Sequence, residues 1–498
     1  MKRGNVIITV IVFVFLGLST NAQITFQKTY GGLYSDEGST VQQTSDGGYI
    51  IIGSGSFTSG SDIYLIKTNS YGEIIWTSTY GNGADQGLSV LQTNNNGYIL
   101  TNWYQVMDSL YGICIIRTNS LGDTLWTKTY VDKIFNSGES IQHTTDGGYI
   151  IGGGTSTFNQ DTSQVYLIKI DSLGDTLWTR KYGGSGYSTG SSIHQTFDKG
   201  FIIAGSTNNF GVGDNDVYLI KTDSLGDTLW SKTYGGDSSD YASSIIQTPD
   251  SGYFIVGYTK SFGSGGYDAY LIRTNSLGDT LWTKTYGGTG DDEAESIYQT
   301  NDGGFIITGY TNSLNSGIYS AFLIKLNSIG DTLWTKLYGG VSDCFASSIE
   351  QTSDKGYIIA GSSTINSSNG NVYLIKTDSL GNSGCDLGNA SAIIGSTSTQ
   401  ITNPATQISF GGNRTYPPIA VSNGGTATTI CFSSDITEIP FDNSSISIYP
   451  NPFNLSTTLY INGETSQNDY SLYIYRVPTS FSKKPFANIQ PWYISLNF

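Results

Sequence analysis

The 498-residue sequence has little cysteine, few basic side chains and no long apolar run. Its four cysteines exclude a small disulfide-stapled scaffold, and a chain of this length can bury a large core without disulfides. Cys385 and Cys431 flank a stretch rich in Ser, Thr, Gly and Asn, so whether they pair in an oxidising compartment stays open.

The apolar run from Val6 to Leu18 is 13 residues long, short of the roughly 20 that a membrane-spanning helix needs. It follows Lys2 and Arg3 and leads to the small-residue site at 20–22. This pattern predicts a signal peptide over residues 1–22, cut after Ala22. We therefore expect a secreted or cell-surface protein with no membrane-spanning segment.

Acidic side chains outnumber basic ones by 40 to 24, which gives a formal charge of −16 at pH 7. Loss of Lys2 and Arg3 with the signal peptide lowers it to about −18. A surface of this sign repels nucleic acid and anionic lipid, so nucleic acid is not an expected partner.

A repeat of about 50 residues runs through most of the chain. Six tryptophans mark it at spacings of 50 to 52 residues, and Phe26 occupies the same position 50 residues before the first. A period near 50 is typical of propeller blades, which take roughly 40 to 50 residues. Seven units therefore extend from Phe26 to about Cys385. The tryptophans are Trp76, Trp126, Trp178, Trp230, Trp282 and Trp334.

Each unit contains four short β-rich runs, as a four-stranded blade requires. In the sixth unit the innermost strand is Glu295–Thr300, and a turn at Asn301–Gly304 leads to the second strand, Phe305–Gly309. The Asp-Gly pair in this turn is a strong hairpin signal because the turn needs positive φ. The third strand is Ala321–Lys325 and the outer strand is Thr332–Tyr338. Their apolar residues are typical of strands buried on both faces, so neighbouring blades should pack face to face.

The two ends of the array are complementary. The seventh unit reaches its third strand at Tyr373–Thr377, but Asn382–Cys385 stands where the outer strand should be. Ile24–Tyr30 matches that missing strand. The sequence therefore predicts an all-β fold: a seven-bladed β-propeller of four-stranded blades over residues 23–385, closed by an N-terminal strand that removes a raw edge.

These units resemble a family of secreted bacterial β-propeller repeat proteins, whose pattern is Gly-Gly, an acidic pair, an inner strand, Asp-Gly and a Gly-Tyr-Thr ending. In the sixth unit the matching residues are Gly287–Glu293 and Gly309–Thr311. The resemblance covers residues 24 to about 381. It implies the fold and leaves the function open, since propellers host enzymes, scaffolds and adhesins alike.

The composition changes after the array. Residues 386–440 are interpreted as a Ser/Thr/Gly-rich linker with a few strands. Residues 441–498, from Ile446–Phe453 onward, resemble the start of a type IX secretion sorting domain, a small β-sandwich that carries proteins across the outer membrane of certain Gram-negative bacteria. The match ends near Val477, where Pro478 and Pro485 replace further strands. We expect a partial, degenerate sorting domain, with the type IX secretion machinery as a partner.

The sequence contains no recognisable catalytic, cofactor-binding or metal-binding motif. Zinc-type Cys/His spacing, a nucleophile elbow, a phosphate loop and a calcium-hand loop are all absent. Positions equivalent to His143 carry glutamine, so His143 and His194 are expected to line the channel or the core, with a hydrogen-bonding role in the ring. Cys114 stands where other units carry Tyr or Phe and is expected to be a buried thiol. One basic residue per blade should pair with a turn carboxylate: Lys67, Arg117, Lys169, Lys221, Arg273, Lys325 and Lys376.

Two features of the loops leave alternatives open. The acidic blade-to-blade loops either bind calcium or cap nearby backbone N–H groups. Aromatic residues in the variable loops between second and third strands either stack on sugars or peptides or cover the blade edge. The acids are Asp36, Glu37, Asp85, Asp240, Asp291, Asp292 and Glu293; the aromatic residues are Phe57, Tyr104, Phe158, Phe210, Phe262 and Tyr267.

Together these observations predict a non-catalytic binding or structural module, without a cofactor, whose ligand is an extracellular glycan or protein. The alternative is an extracellular hydrolase or lyase that attacks polysaccharide or peptide with loop carboxylates. Asp291 and Asp292 are the candidate pair for that chemistry.

Overall fold

The computed structural model describes residues 23–32, 34–56, 60–81, 85–107, 110–157, 162–313, 317–365, 367 and 369–384, and the backbone of strand segments between 388 and 494. The predicted signal peptide lies outside these residues. So does Cys385, and with it the pairing to Cys431. Among the described residues, none belongs to a helix with the length and hydrophobicity of a membrane span.

The described part of the repeat region contains twenty-eight strands. Strand β1 is Ile24–Gly31. Blade 1 contains β2 Asp36–Gln43, β3 Tyr49–Gly55, β4 Asp62–Thr68 and β5 Ile74–Gly81. Blade 2 contains β6 Gln86–Gln92, β7 Tyr98–Met107, β8 Leu110–Thr118 and β9 Thr124–Val131. Blade 3 contains β10 Phe135–His143, β11 Tyr149–Ser156, β12 Ser163–Ile170 and β13 Thr176–Gly183.

The remaining blades have the same plan. Blade 4 contains β14 Ser188–Gln195, β15 Phe201–Thr207, β16 Asp216–Thr222 and β17 Thr228–Gly235. Blade 5 contains β18 Asp240–Gln247, β19 Tyr253–Thr259, β20 Asp268–Thr274 and β21 Thr280–Gly287. Blade 6 contains β22 Asp292–Gln299, β23 Phe305–Thr311, β24 Ser320–Leu326 and β25 Thr332–Tyr338. Blade 7 contains β26 Cys344–Gln351, β27 Tyr357–Ser363 and β28 Asn371–Thr377, and it is completed by β1.

Every blade is an antiparallel meander that runs from the innermost strand to the rim. Strand β1 pairs with β28, with Phe26 opposite Lys376 and Tyr30 opposite Val372. The predicted seven-bladed propeller, closed by an N-terminal strand, is confirmed.

The turn between the first two strands of each blade needs one residue at positive φ. Glycine supplies it in three blades, with φ of 80° at Gly47 and 85° at Gly147. Blades without that glycine adopt the same conformation at a non-glycine residue, for example φ of 65° at Ser251 and 69° at Lys355. Because the surrounding meander fixes the turn, the backbone keeps this geometry even where the residue type disfavours it.

Seven apolar clusters fill the seven gaps between neighbouring blades. The cluster at the closure joins Phe26 and Tyr30 of β1 to Ile51 of blade 1 and Leu374 of blade 7, all fully buried. Each apolar Å² removed from water contributes about 25 cal/mol, so packing between blades is the main term that holds the ring. Cys114 is buried in one of these clusters, as predicted.

A tyrosine hydroxyl on the outer strand of one blade reaches the next blade at each joint. In six joints it donates a hydrogen bond to a turn carbonyl at 2.5 to 3.1 Å. In the seventh, Tyr286 contacts the Thr332 hydroxyl at 2.9 Å. The six pairs are Tyr30–Gly72, Tyr80–Gly122, Tyr130–Gly174, Tyr182–Gly226, Tyr234–Gly278 and Tyr338–Gly381.

Seven described strands that begin at Gly388 and end at Ser434, within the predicted linker, add a fifth strand to the rim of every blade. We call these strands the belt. In chain order the belt strands pair with blades 6, 5, 4, 3, 2, 1 and 7, so their order follows the ring once. They are β29 Gly388–Asn389, β30 Ile393–Ser396, β31 Gln400–Thr402, β32 Gln407–Ser409, β33 Asn413–Thr415, β34 Ala420–Ser422 and β35 Thr426–Ser434.

The register of the belt follows the repeat. Belt residues six or seven positions apart along the chain pair with the equivalent outer-strand tyrosine of successive blades. Backbone groups that would otherwise form an open sheet edge are therefore paired. The pairs are Ile394–Tyr286, Ile401–Tyr234, Ile408–Tyr182, Arg414–Tyr130, Val421–Tyr80 and Ala427–Tyr30.

Residues 436–498 form a second unit. Within it β36, Ser445–Tyr449, pairs with β37, Thr458–Asn462, and β38, Leu472–Ile474, pairs with β39, Trp492–Ile494.

Candidate functional site

The basic residues that recur once per blade hold the turn between the first two strands. Lys325 Nζ lies 3.0 Å from Asp302 Oδ1, and Lys67 Nζ lies 3.0 Å from Asp46 Oδ2. Blade 2 has Asn95 in place of the aspartate, and Arg117 donates a hydrogen bond to its side-chain oxygen. The predicted pairing with a turn carboxylate is thus found in the other six blades: Lys67–Asp46, Lys169–Asp146, Lys221–Asp198, Arg273–Asp250, Lys325–Asp302 and Lys376–Asp354.

His143 and the glutamines at equivalent positions connect neighbouring blades. The side-chain oxygen of Gln92 accepts a hydrogen bond from the backbone N–H of Ser45 in the previous blade at 2.8 Å. Gln43 accepts one from Ser353 at 2.7 Å across the closure. His143 Nε2 lies 3.0 Å from the carbonyl oxygen of Gln92. The hydrogen-bonding role predicted for this position is therefore observed.

Carboxylates at the start of the inner strands cap the blade-to-blade loops. Asp36 Oδ2 accepts the backbone N–H of Gly32 at 2.7 Å. Asp292 Oδ2 accepts that of Gly288 at 2.9 Å. Of the two interpretations of these acids, the structure favours capping at both positions. Within the described ranges no three His, Cys, Asp or Glu side chains cluster as metal ligands.

Three of the six loop aromatic residues singled out in the sequence cover the blade edge. Phe210 packs on Tyr218, and Phe262 packs on Tyr270, with ring centroids 5.7 Å apart in both pairs. Tyr104 is 3% exposed. Phe57 and Phe158 lie outside the described residues. Tyr267 is the exception, because it belongs to a larger group of partly exposed rings.

That group arises from three positions of the blade frame, all at the end of the ring that carries the blade-to-blade loops. They are the second residue of the inner strand, the sixth residue of the second strand and the residue just before the third strand. In blade 5 these are Tyr241, Tyr258 and Tyr267, with centroids 5.0 to 6.3 Å apart. The rings stand tilted or edge-to-face, with interplanar angles of 34° to 83°.

Blade 6 and the start of blade 7 continue the group. Tyr310 and Tyr319 of blade 6 pack against each other and against Phe345 of blade 7, with centroids 4.9 to 5.7 Å apart. All three rings are partly exposed. The aromatic surface therefore extends over neighbouring blades 5, 6 and 7.

Three acids of blade 6 lie among these rings. The Tyr310 hydroxyl donates to Glu293 Oε2 at 2.6 Å. Asp291 Oδ1 accepts the backbone N–H of Tyr267 at 3.0 Å, and its Oδ2 lies 3.4 Å from the Tyr319 hydroxyl. Burial, and then the charge of Glu293, raise the pKa of Glu295 to about 7.

We name this surface the aromatic–acid patch. An aromatic residue at the sixth position of the second strand departs from the repeat, because Ser54, Ser206 and Ser362 stand there in blades 1, 4 and 7. Trp103 of blade 2 heads a second aromatic group, in which its indole N–H donates to Gln86 and not to an acid. The patch consists of Tyr241, Tyr258, Tyr267, Asp291, Glu293, Glu295, Tyr310, Tyr319 and Phe345.

Sequence reasoning found Tyr267, Asp291 and Glu293 but missed the tyrosines on the strands. Tyr258 and Tyr310 follow the blade glycines Gly257 and Gly309, and this Gly-Tyr-Thr ending looks like ordinary repeat sequence. Comparing each frame position across all seven units would have shown that most units carry a small residue there.

No protein-family model matches the chain. A segment is 27% identical over 160 residues to the regulatory protein FlaEY of Caulobacter vibrioides, covering 27% of this chain and 17% of that protein. The match thus spans less than a fifth of the relative's length. Among solved structures, Sqt1 from Chaetomium thermophilum is similar with a TM-score of 0.42 at 10% identity, over 75% of this chain and 88% of that one. A glucose dehydrogenase gives 0.37 at 7% identity, over 70% and 98%. The soluble aldose sugar dehydrogenase of Escherichia coli gives 0.33 at 10% identity, over 70% and 99%.

Proposed function

We propose that this chain is an exported, non-catalytic binding propeller of the secreted bacterial repeat type, and that its ligand contacts the aromatic–acid patch. The signal-peptide pattern at residues 1–22 and the resemblance of residues 441–498 to a type IX sorting domain support export to the cell surface or the medium. Under this proposal the type IX machinery recognises the C-terminal unit, and the ring meets the ligand.

The concentration of aromatic side chains at one place on a repetitive frame is the observation that carries the binding function. Seven blades share one packing plan, so the packing of the propeller explains most positions. Tyr258 and Tyr310 are only partly buried and replace the serine of other blades. Large rings cost little conformational entropy when they bind, and they are frequent anchors of binding surfaces.

The experiment screens the mature chain, residues 23–498, on glycan and protein arrays and repeats each positive with the double variant Tyr258→Ser/Tyr310→Ser. Serine is the residue of other blades at this position, so the ring should still fold, which thermal unfolding checks. We expect the double variant to lose binding by at least tenfold.

Trp103→Ser is the matched control, because it removes a ring at the same frame position in blade 2. It should leave binding unchanged. Arrays without any ligand, or binding that survives the double variant, would contradict the proposal.

A second candidate function is that of an extracellular hydrolase or lyase. One observation favours it: with a pKa of about 7, Glu295 could hold a proton for general acid catalysis, and Glu293 is close enough to shift that pKa. The pair suggested by the sequence is less suited, since Asp292 is 3% exposed and caps a loop. Hydrolysis of a polysaccharide or peptide that Glu295→Gln abolishes, with binding retained, would support this candidate over the binding module.

A further inference from the structure

We infer that the aromatic–acid patch binds a basic segment of a partner protein by taking up a lysine ammonium or an arginine guanidinium among its rings and carboxylates. This inference rests on the proposed function and specifies its ligand.

The first support is unmatched negative charge. Turn aspartates in six blades have a lysine or arginine partner. Asp175 and Asp279 likewise pair with outer-strand lysines of the neighbouring blade. Asp291, Glu293 and Glu295 form no ion pair with any lysine, arginine or histidine that the structure describes. Asp291, Glu293 and Glu295 thus bring negative charge to a partly buried surface without an ion pair to balance it.

The environment of these acids indicates the cost of that imbalance. Burial, followed by the charge of Asp291, raises the pKa of Glu293, although the Tyr310 hydrogen bond opposes the shift. Burial, and then the charge of Glu293, raise the pKa of Glu295 as well. A cation placed between these carboxylates would relieve their mutual repulsion, which in a partly buried site is stronger than in water.

The arrangement of the rings is the second support. Flat stacking on a sugar needs an open ring face, whereas Tyr258 and Tyr267 meet at 83° and Tyr310 and Phe345 meet at 78°. In these edge-to-face contacts one ring covers part of its neighbour's face, so a broad sugar ring has no whole face to stack on. A lysine or arginine cation needs only the part of a ring face that stays exposed, because that face is negative.

The protein itself places an ammonium at this surface. Lys260 Nζ lies 5.4 Å from the ring centroid of Tyr267 and forms no ion pair among the described residues. The side chain of Lys260 is exposed and rises from the adjacent loop. The Tyr267 ring therefore already has a cation on its face, and under this inference a basic partner places a second cation nearer Glu293.

The test measures binding of fluorescein-labelled hexalysine to the mature chain by fluorescence anisotropy at low and physiological salt. We expect saturable binding, and at least a tenfold loss of affinity in Glu293→Gln/Glu295→Gln. Hexalysine acetylated at every side chain should not bind. Binding equal to that of the unmodified peptide would overturn the inference.

The chain offers a matched control for its general negative charge. Glu37 of blade 1 stands at the position of Glu293 in blade 6, and Glu139 of blade 3 stands at the position of Glu295. Glu37 pairs with Ser54 whereas Glu293 pairs with Tyr310, and blade 3 has Gly154 at the position of that tyrosine. Glu37→Gln/Glu139→Gln removes the same charge and should leave affinity unchanged. Equal loss in both double variants would assign the binding to net charge and overturn the inference.

Two further outcomes separate this inference from the proposed function. In the first, a neutral glycan binds, Tyr258→Ser/Tyr310→Ser abolishes its binding, and Glu293→Gln/Glu295→Gln does not. That result would keep the patch as the ligand site and overturn the cationic ligand. Competition by n-butylamine at the molar concentration of hexalysine would assign the patch to a small amine and overturn the basic segment as its ligand. Loss of hexalysine binding in both the tyrosine and the glutamate double variants supports both proposals.

Discussion

The hydroxyl of Tyr30 donates a hydrogen bond to the carbonyl oxygen of Gly72 at 2.7 Å. Tyr30 lies on the N-terminal strand that completes blade 7, and Gly72 lies in a turn of blade 1, so this bond crosses the closure of the ring. Tyr182 makes the same contact with Gly226 at 2.6 Å between blades 3 and 4. The closure is therefore chemically like an ordinary joint.

Tyr30→Phe removes this hydrogen bond and leaves a buried carbonyl without its donor. We expect the free energy of unfolding to fall by about 1–3 kcal/mol. Tyr182→Phe should cost a similar amount, because its joint has the same contacts. Urea unfolding followed by tryptophan fluorescence measures both. A cost near zero for Tyr30→Phe beside a clear cost for Tyr182→Phe would mean that the N-terminal strand does not close the ring.

The closed ring could be predicted because both of its ends are visible in the sequence. Ile24–Tyr30 has the residue pattern of an outer strand, and the seventh unit lacks one. The lysine or arginine that recurs once per blade was equally predictable, since a position that repeats with the blade has a structural role in the blade.

The belt and the patch could not be predicted in this way. Belt strands such as Gln400–Thr402 are three residues long and gain their structure only from the edge they join. The patch depends on which rings from different blades meet, and Tyr310 and Phe345 are 35 residues apart along the chain. Such contacts follow from the closed ring and not from any local pattern.

Ser251→Gly should stabilise the protein. Ser251 adopts φ of 65° in the hairpin turn of blade 5, a conformation that costs a non-glycine residue about 1–2 kcal/mol. Part of the gain is lost because glycine is more flexible in the unfolded chain, so we expect a net gain of about 0.5–1 kcal/mol. Gly303→Ser, at the same position of blade 6, is the reciprocal variant and should destabilise. Chemical unfolding of the pair checks both signs, and a loss of stability in Ser251→Gly contradicts the account.

Stability should be greatest near pH 4 to 5. Burial raises the pKa of Glu350 to about 7 from its ordinary 4.5, so the folded state holds a proton that the unfolded state releases, and stability falls as pH rises toward 7. The pKa of Asp302 is about 2: burial would raise it, but hydrogen bonds from Thr300, Gly304 and Lys325 outweigh burial. Its contribution is present above about 4 and is lost as pH falls toward 2.

Thermal unfolding between pH 2 and pH 8 measures this profile. Glu350→Gln keeps an acceptor for the backbone N–H of Gln43 and removes the titrating group. With Glu295→Gln in the same chain, the fall in Tm between pH 5 and pH 8 should become smaller. A wild-type Tm that rises over that interval would show that these carboxyls are not protonated in the folded ring.

Removing the belt should expose the rims of the blades. A chain ending at Gly384 lacks all seven belt strands, and its open edges should cause self-association, visible by light scattering, together with a lower Tm. A chain ending at Asp435 keeps the belt and lacks only the second unit. We expect the longer chain to stay monodisperse under conditions in which the shorter one associates. Identical behaviour of the two would contradict a stabilising belt.

Hydrogen–deuterium exchange of the mature chain, with and without saturating hexalysine, tests most directly that the aromatic–acid patch is the binding face. We predict slower exchange in peptides that cover residues 241–267, 289–296 and 310–345, and unchanged exchange in the equivalent peptides of blades 1 to 4. Protection spread evenly over all seven blades, or confined to blades 1 to 4, would contradict this assignment.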